Sequence, residues 1–483
     1  MELGVRWRQA AAAIYRIGLF FAFAVDLSVV RAALPAAPTV ASDARTLTPR
    51  DRLACTDGRV CHLDKDFLDF FVIGDTGGLA LDLGGEYLNF IKATEVQERL
   101  AKSMVTFCFN LPPIPVFLAE LAGRQRPEFI IDTGDNVYFN GVDNVFDSRF
   151  ETVFEEVYSH DNLLVPFFMI AGNHDHLGNI SAQIEYTKYS SRWTFPKLYY
   201  KLSYSFARGT RTVDIVFIDT IVLCGNSIDV GGRSVFSWLL ARRRVPNRPD
   251  PQWADEAERQ WKWIEQQLSD STADYLFVVG HYPIYSISSH GNVQCLIDRL
   301  DPLLRRFQVS AYISGECTLL RQSSDYPPLS CHDHNIQFFR IDDTNSPQSE
   351  IRTYGTSNTH KHKETFLGRP NYYRKGVSTM HYLVSGAGSR TDFSTDNADR
   401  VPAPPVFHYP KKHDVPAWKR LLHAPELGYG RGGFVRFEVR NDSADLYFYT
   451  GDLNLQFLDY INRRPSIAEV KDRRRKTRKK SLV

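Results

Sequence analysis

Beyond its first few dozen residues the sequence has no apolar run long enough to span a bilayer, so the rest of the chain offers no membrane-crossing helix. Charge of a dominant sign is missing as well. Lysine and arginine number 58 against 56 aspartates and glutamates, a net of +2, which excludes a global pull toward nucleic acid or an anionic surface. What basic excess exists is local and closes the chain, in a tail over 461–483. No internal repeat is visible, which excludes a solenoid. No serine, cysteine or histidine nucleophile motif stands out, so covalent catalysis has no evident carrier. Cysteine is scarce and odd in number, at seven, so at least one thiol is left over from any full pairing.

What is present is ample apolar material, 43% hydrophobic and 13% aromatic over 483 residues, enough for one large domain or two. Arg6, Arg8 and Arg16 precede the apolar run IGLFFAFAV at 17–25 and the small-residue stretch VVRAALPAAP at 29–38. That layout predicts a secretory signal peptide over 1–35 and an exported protein without a stable membrane span. The alternative is a membrane anchor, but a run this short, closed by Asp26, would span a bilayer poorly. For an exported chain, Cys224 and Cys295 lie in well-patterned elements and are the expected structural disulfide. Cys55 and Cys61 are candidates to close a small loop in the segment 36–65 that leads into the main domain.

Apolar runs at 67–73, 129–133, 165–171, 213–219, 275–280 and 309–314 have strand length. Helical patterns at 147–158 and 253–268 lie between them. Strand alternating with helix predicts an α/β fold, with ligands in the crevice at the carboxyl ends of the strands. The runs at 380–388, 432–439 and 444–450 read as consecutive strands and suggest a second sheet packed on the first. Three segments interrupt the order: 104–118, where Pro112 and Pro113 should break a helix, 316–331, and 342–377. Each is either a surface loop or untranslated sequence carried into the chain. Because Cys108, Cys317 and Cys331 fall in them or at their edges, the second explanation is preferred.

Five blocks each end a strand-like run with a side chain suited to a metal: GDTGG at 74–78, GDNVY at 134–138, GNHDH at 172–176, VVGHYP at 278–283 and HDHNIQ at 332–337. Asp75 alone would be an ordinary Gly-Asp turn. Asp135 repeats the arrangement, and two carboxylates at neighbouring strand ends repel unless a cation lies between them. Tyr138, ordinarily a core aromatic, stands three residues beyond Asp135, where a phenolate can reach the same ion and would favour trivalent iron. Asn173 offers an amide oxygen, while His174 points elsewhere and is better placed to touch substrate. His281 ends its strand, and His332 and His334, two apart, share one side of an extended segment. A lone histidine is usually structural, but three at strand ends beside two aspartates make a metal site the better reading.

These blocks resemble the purple acid phosphatases, specifically the small animal tartrate-resistant type. The resemblance runs from about Asp69 to about Pro465 and includes AGNHDHLGNISAQIEYTKYSSRWTFP at 171–196, HYPIYSISSHG at 281–291 and HYLVSGAG at 381–388. It implies a metallophosphoesterase domain over 66–460 built as a sandwich of two mixed β-sheets flanked by helices. It implies that Asp75, Tyr138 and His334 hold Fe(III), that Asn173, His281 and His332 hold a divalent iron or zinc, and that Asp135 bridges both. The expected reaction is hydrolysis of phosphate monoesters by hydroxide generated from a metal-bound water. His174 and His290 are then the candidates to bind phosphate and protonate the leaving alkoxide. Two features depart from the family: sixteen residues separate Gly315 from His332, and Ser289 stands where a glutamate is usual. Rival readings are a protein phosphatase or phosphodiesterase of the same superfamily, and a non-catalytic scaffold that retains the fold. Asn179 and Asn441 begin N-glycosylation acceptor sequences, and the expected destination is extracellular or lysosomal.

Overall fold

The computed structural model describes residues 55–78, 93–109, 126–138, 140–226, 250–288, 291–315, 334–342, 379–389, 391, 393–411 and 432–465. In chain order the strands are β1 (Asp57–His62), β2 (Leu68–Ile73), β3 (Phe129–Asp132), β4 (Phe167–Met169), β5 (Trp193–Thr194), β6 (Tyr200–Phe206), β7 (Arg211–Phe217), β8 (Tyr275–Gly280), β9 (Ala311–Ser314), β10 (Ile336–Asp342), β11 (Thr379–Ser385), β12 (Phe407–Tyr409), β13 (Gly433–Val439), β14 (Ser443–Thr450) and β15 (Leu455–Asn462). The α-helices are α1 (Glu95–Phe109), α2 (Ile180–Tyr186), α3 (Thr220–Cys224), α4 (Ala254–Asp270) and α5 (Gln294–Arg306).

The strands form two mixed sheets, one in the order β1-β6-β7-β8-β9-β11-β10-β12 and the other in the order β15-β14-β13-β2-β3-β4-β5. The α/β sandwich expected from the sequence is therefore present, with one correction. The late strands do not make a sheet of their own. β13 pairs antiparallel with β2 and β11 pairs parallel with β9, so the last third completes both sheets built by the first two-thirds. Alternation identifies a strand but not its neighbour, because pairing is chosen in three dimensions.

Aromatic rings fill the space between the sheets. Phe70 of β2 stacks between Phe129 and Phe437, at 4.9 and 4.8 Å, and meets Phe277 of the opposite sheet edge-on at 6.3 Å. All four are fully buried, and each such side chain contributes roughly 1.5–3 kcal/mol by leaving water. A second apolar cluster lies on the outer face of the β8 sheet, where Trp261, Ile264 and Leu268 of α4 and Leu296, Leu300 and Leu304 of α5 pack. The Cys224–Cys295 disulfide joins the end of α3 to the start of α5, and Cys55–Cys61 closes the loop carrying β1.

The helical pattern at 147–158 becomes a short π-helical turn at Glu151–Glu155, and α4 covers the pattern at 253–268. α1 ends at Phe109, before Pro112 and Pro113. The rest of the first interrupting segment, all of the second and all but Asp342 of the third lie outside the described residues. Among the described residues no helix is long and apolar enough to cross a membrane.

Candidate metal centre

β2, β3 and β4 run parallel in one sheet, and β7, β8, β9 and β11 run parallel in the other. Their carboxyl ends converge. At the ends of β2 and β3 the chain makes the same turn twice: Asp75 has φ 59° and Asp135 φ 55°. These left-handed conformations are uncommon outside glycine but most tolerated by Asp and Asn. The strain of about 1–3 kcal/mol that such a residue carries is typical of a side chain held for function. The two turns are tied together, since the Asp75 amide donates to the Gly134 carbonyl at 2.9 Å and the Gly77 amide to that of Asp135 at 3.0 Å.

Glycine is required where the backbone crosses these carboxylates. A Cβ on Gly172 would lie 2.1 Å from Asp135 Oδ1, and one on Gly315 would lie 2.9 Å from Asp75 Oδ2. The second contact bears on the 316–331 segment. The chain leaves β9 directly over Asp75, and the described chain resumes at His334, whose ring lies 5.8 Å from that of Tyr138. The described residues on either side of the inserted run, Gly315 and His334, are thus at the same sheet edge.

Asp75, Asp135 and His281 each offer a ligand atom, all lie within 4.8 Å of one another, and all are buried. The Tyr138 hydroxyl donates to Asp75 Oδ1 at 3.0 Å. Asn173 Oδ1 lies 2.9 Å from His281 Nε2, and Asn173 Nδ2 has no hydrogen-bond partner among the described residues. His281 Nδ1 faces the Thr133 carbonyl at 2.8 Å and His334 Nδ1 faces that of Gly386 at 3.0 Å. Each backbone carbonyl fixes the proton on Nδ1 and leaves Nε2 as the lone-pair nitrogen, the arrangement of a metal-binding imidazole. Burial pushes His281 down to about 4 despite its bond to Thr133, so the ring is neutral at ordinary pH. The donor set of carboxylate, phenol, amide oxygen and imidazole fits one hard and one borderline cation.

His174 stands beside this group. Its amide donates to Asp135 Oδ1 at 3.0 Å, its Nε2 is 3.8 Å from Asp135 Oδ2, and its ring meets that of Tyr138 edge-on at 4.7 Å. His290 and His332 lie outside the described residues. Asn179 is exposed at the start of α2, where its Oδ1 caps the helix from Ala182 N at 3.1 Å, and Asn441 is exposed in the turn between β13 and β14.

Four buried groups escaped the sequence reading. Asp175 accepts from the amides of Gly172, Asn136 and Val137 at 2.8, 3.0 and 3.2 Å and from the Gln183 side chain at 2.8 Å. It thereby binds the Asn173 turn to the Asp135 turn. Burial and the Asp135 charge raise its pKa to about 6. Asp132, held by the Thr76 hydroxyl at 2.7 Å, is raised by burial to about 8. His176 Nε2 lies 2.7 Å from Asp219 Oδ2. Asp132, Asp175 and His176 lie inside or beside blocks whose other members already have a role, and Asp219 closes the apolar run 213–219.

Comparison with known proteins gives the family. Residues 68–315 match the family of calcineurin-like phosphoesterases. The tartrate-resistant acid phosphatase type 5 of Oryctolagus cuniculus is 35% identical over 62% of this chain and 73% of its own length. That of Mus musculus is 33% identical over 72% and 83%. Among solved structures, one described as GAP50, the anchor in the inner membrane complex of Plasmodium, shares the fold at a TM-score of 0.50, with 20% identity over 83% of this chain and 91% of its own. The family match and the identities to the animal enzymes over most of their length assign the chain: it belongs to the calcineurin-like metallophosphoesterases and, within them, to the purple acid phosphatases of the animal tartrate-resistant type.

Proposed function

We propose that the chain is an exported acid phosphatase whose two metals are held as the sequence suggests: Asp75, Tyr138 and His334 on Fe(III), Asn173, His281 and His332 on a divalent iron or zinc, and Asp135 between them. The observation that carries this reading is the buried meeting of the Tyr138 phenol with Asp75, 3.0 Å apart, beside the Asp75, Asp135 and His281 ligand atoms within 4.8 Å of one another. Bound metals would neutralise phosphate oxygens and acidify a water to supply the nucleophile. The chain's own residues do the rest. Thr133 and Gly386 carbonyls hold the imidazoles of His281 and His334 in one tautomer, and Asp175 fixes the spacing of two ligand turns. His174, over the Asp135 carboxylate, is the described imidazole suited to receive the phosphate and pass a proton to the leaving oxygen, with His290 as its partner.

Substrates are phosphate monoesters: nucleotides, phosphoproteins or small esters. Export is supported by the signal-like segment 1–35 and by the disulfides Cys224–Cys295 and Cys55–Cys61, with secretion or a lysosome as the destination. Asn179 and Asn441 are the proposed glycan carriers, both exposed. Metal analysis, a visible spectrum and a phosphomonoester assay on one preparation test the reading. Two metals per chain, a purple band and turnover are expected. A colourless, metal-loaded enzyme would favour a phosphodiesterase or protein phosphatase site, and a metal-free, inactive protein would favour a scaffold on the same fold.

A further inference from the structure

The turn that carries Asn173 and His174 is gripped from two sides. On the inner side Asp175 ties it to the Asp135 turn. The outer side is held by groups that the metal centre as described does not use. His176 Nε2 lies 2.7 Å from Asp219 Oδ2, and the Asn226 side chain donates to the Asn173 carbonyl at 3.1 Å. Asp219 and Asn226 stand at opposite ends of the same short helix, α3.

That helix is itself immobilised. The second carboxylate oxygen of Asp219 caps it, accepting from Ile221 N and Val222 N, both at 2.9 Å. One carboxylate therefore serves helix and histidine together. Gln260 of α4 brackets the Asp219 backbone, accepting from its amide at 2.8 Å and donating to its carbonyl at 3.1 Å. Cys224 fastens the far end of α3 to Cys295 of α5. Asp219 and Gln260 are fully buried, and the His176 side chain is 8% exposed. A buried carboxylate beside a buried imidazole is costly unless the two are matched in charge and direction, and here they meet at 2.7 Å.

We infer that His176 and Asp219 are positioning residues for phosphate hydrolysis, with α3 as a rigid clamp that sets the angle at which the turn presents the His174 imidazole and the Asn173 amide. The inference rests on the proposed role of that turn and adds the device that aims it. Neither residue touches the reacting atoms. Their effect passes through residue 176 of that turn, while Asn226, at the other end of α3, holds the carbonyl of residue 173.

The test uses the full metal-loaded chain and the variants His176→Gln, Asp219→Asn and their double. Asparagine retains the helix cap while removing the charge that faces His176, so Asp219→Asn is the variant expected to keep its fold. Because Tyr138 lies on another turn, the visible band should stay in place in all three. Turnover should fall by about 10- to 100-fold, the usual range for residues that orient metal ligands from outside the coordination shell. Inorganic phosphate should inhibit several-fold more weakly, and the double variant should be no worse than the poorer single one, since both break one path. The milder Asn226→Ala should move phosphate inhibition in the same direction. Turnover within two-fold of the parent at full metal content overturns the inference. So does a loss of turnover matched by loss of the band and of thermal stability, which would mean a merely structural pair. A parent with no phosphatase activity would instead overturn the reading of the site. The clamp is then decided by calorimetric binding of inorganic phosphate, and equal affinity in parent and variants refutes it.

Discussion

Tyr138 allows the two-metal reading to be examined by removing one atom. Its ring is fully buried against His174 and His334, so Tyr138→Phe leaves the packing in place and removes only the hydroxyl that donates to Asp75. The cost to stability should be about 1 kcal/mol, that of one hydrogen bond, while the charge-transfer band of a phenolate on iron should vanish. A visible spectrum and a melting curve on the same sample check both, and an unchanged band refutes the assignment of Tyr138 to the metal. Candidates of this kind could be singled out because strand-end chemistry repeats: Asp75, Asp135, Asn173 and His281 each follow an apolar run. Asp175, Asp219 and Gln260 were not legible, since what defines them is which groups they face across sequence gaps of up to 43 residues. A sequence does not print that.

At the scale of elements, strand existence was readable and strand partnership was not. β2, β3, β7, β8, β9, β13 and β14 coincide with apolar or alternating runs, whereas β6 has serines on alternate positions and the edge strand β15 is largely exposed on one face, so neither announces itself. The segment 316–331 is the element-scale question that bears on activity. Gly315 lies over Asp75 and His334 beside Tyr138, so the described residues on either side of the segment are at one sheet edge. Deleting 316–331 connects Gly315 to His332 and should bring His332 to the edge without moving β9 or β10. The deletion variant is expected to bind two metals and to hydrolyse phosphomonoesters at least as fast as the full chain. Metal content and turnover of the two proteins decide it, and a variant that loses both shows the segment to be a functional loop.

At the scale of the whole molecule, two sheets enclose one aromatic core and meet at the edge where the site lies, so acid stability reports on how the sandwich shields its imidazoles. His381 of β11 packs flat against Phe338 at 5.9 Å, with Nδ1 on the Ser310 carbonyl at 3.1 Å. Burial drives its pKa down to about 4, against the opposing pull of that hydrogen bond. The ring stays neutral in the folded protein while the unfolded chain takes up a proton near pH 6.5. Its contribution is therefore whole above pH 6.5 and declines as pH falls from there to about 4. Asp132 has the opposite sign, because its raised pKa of about 8 means the folded state holds a proton that the unfolded chain has released. Comparing the parent with His381→Gln cancels that opposing contribution, which both share. Between pH 7 and 4.5 the parent should lose about 2 kcal/mol more stability than the variant, a value below the full 1.36 kcal/mol per pH unit because the ring is only partly enclosed. Urea unfolding of metal-stripped protein at the two pH values measures the difference. Equal losses in parent and variant would mean that His381 is solvated enough to protonate in place, and that the sandwich is open along β11.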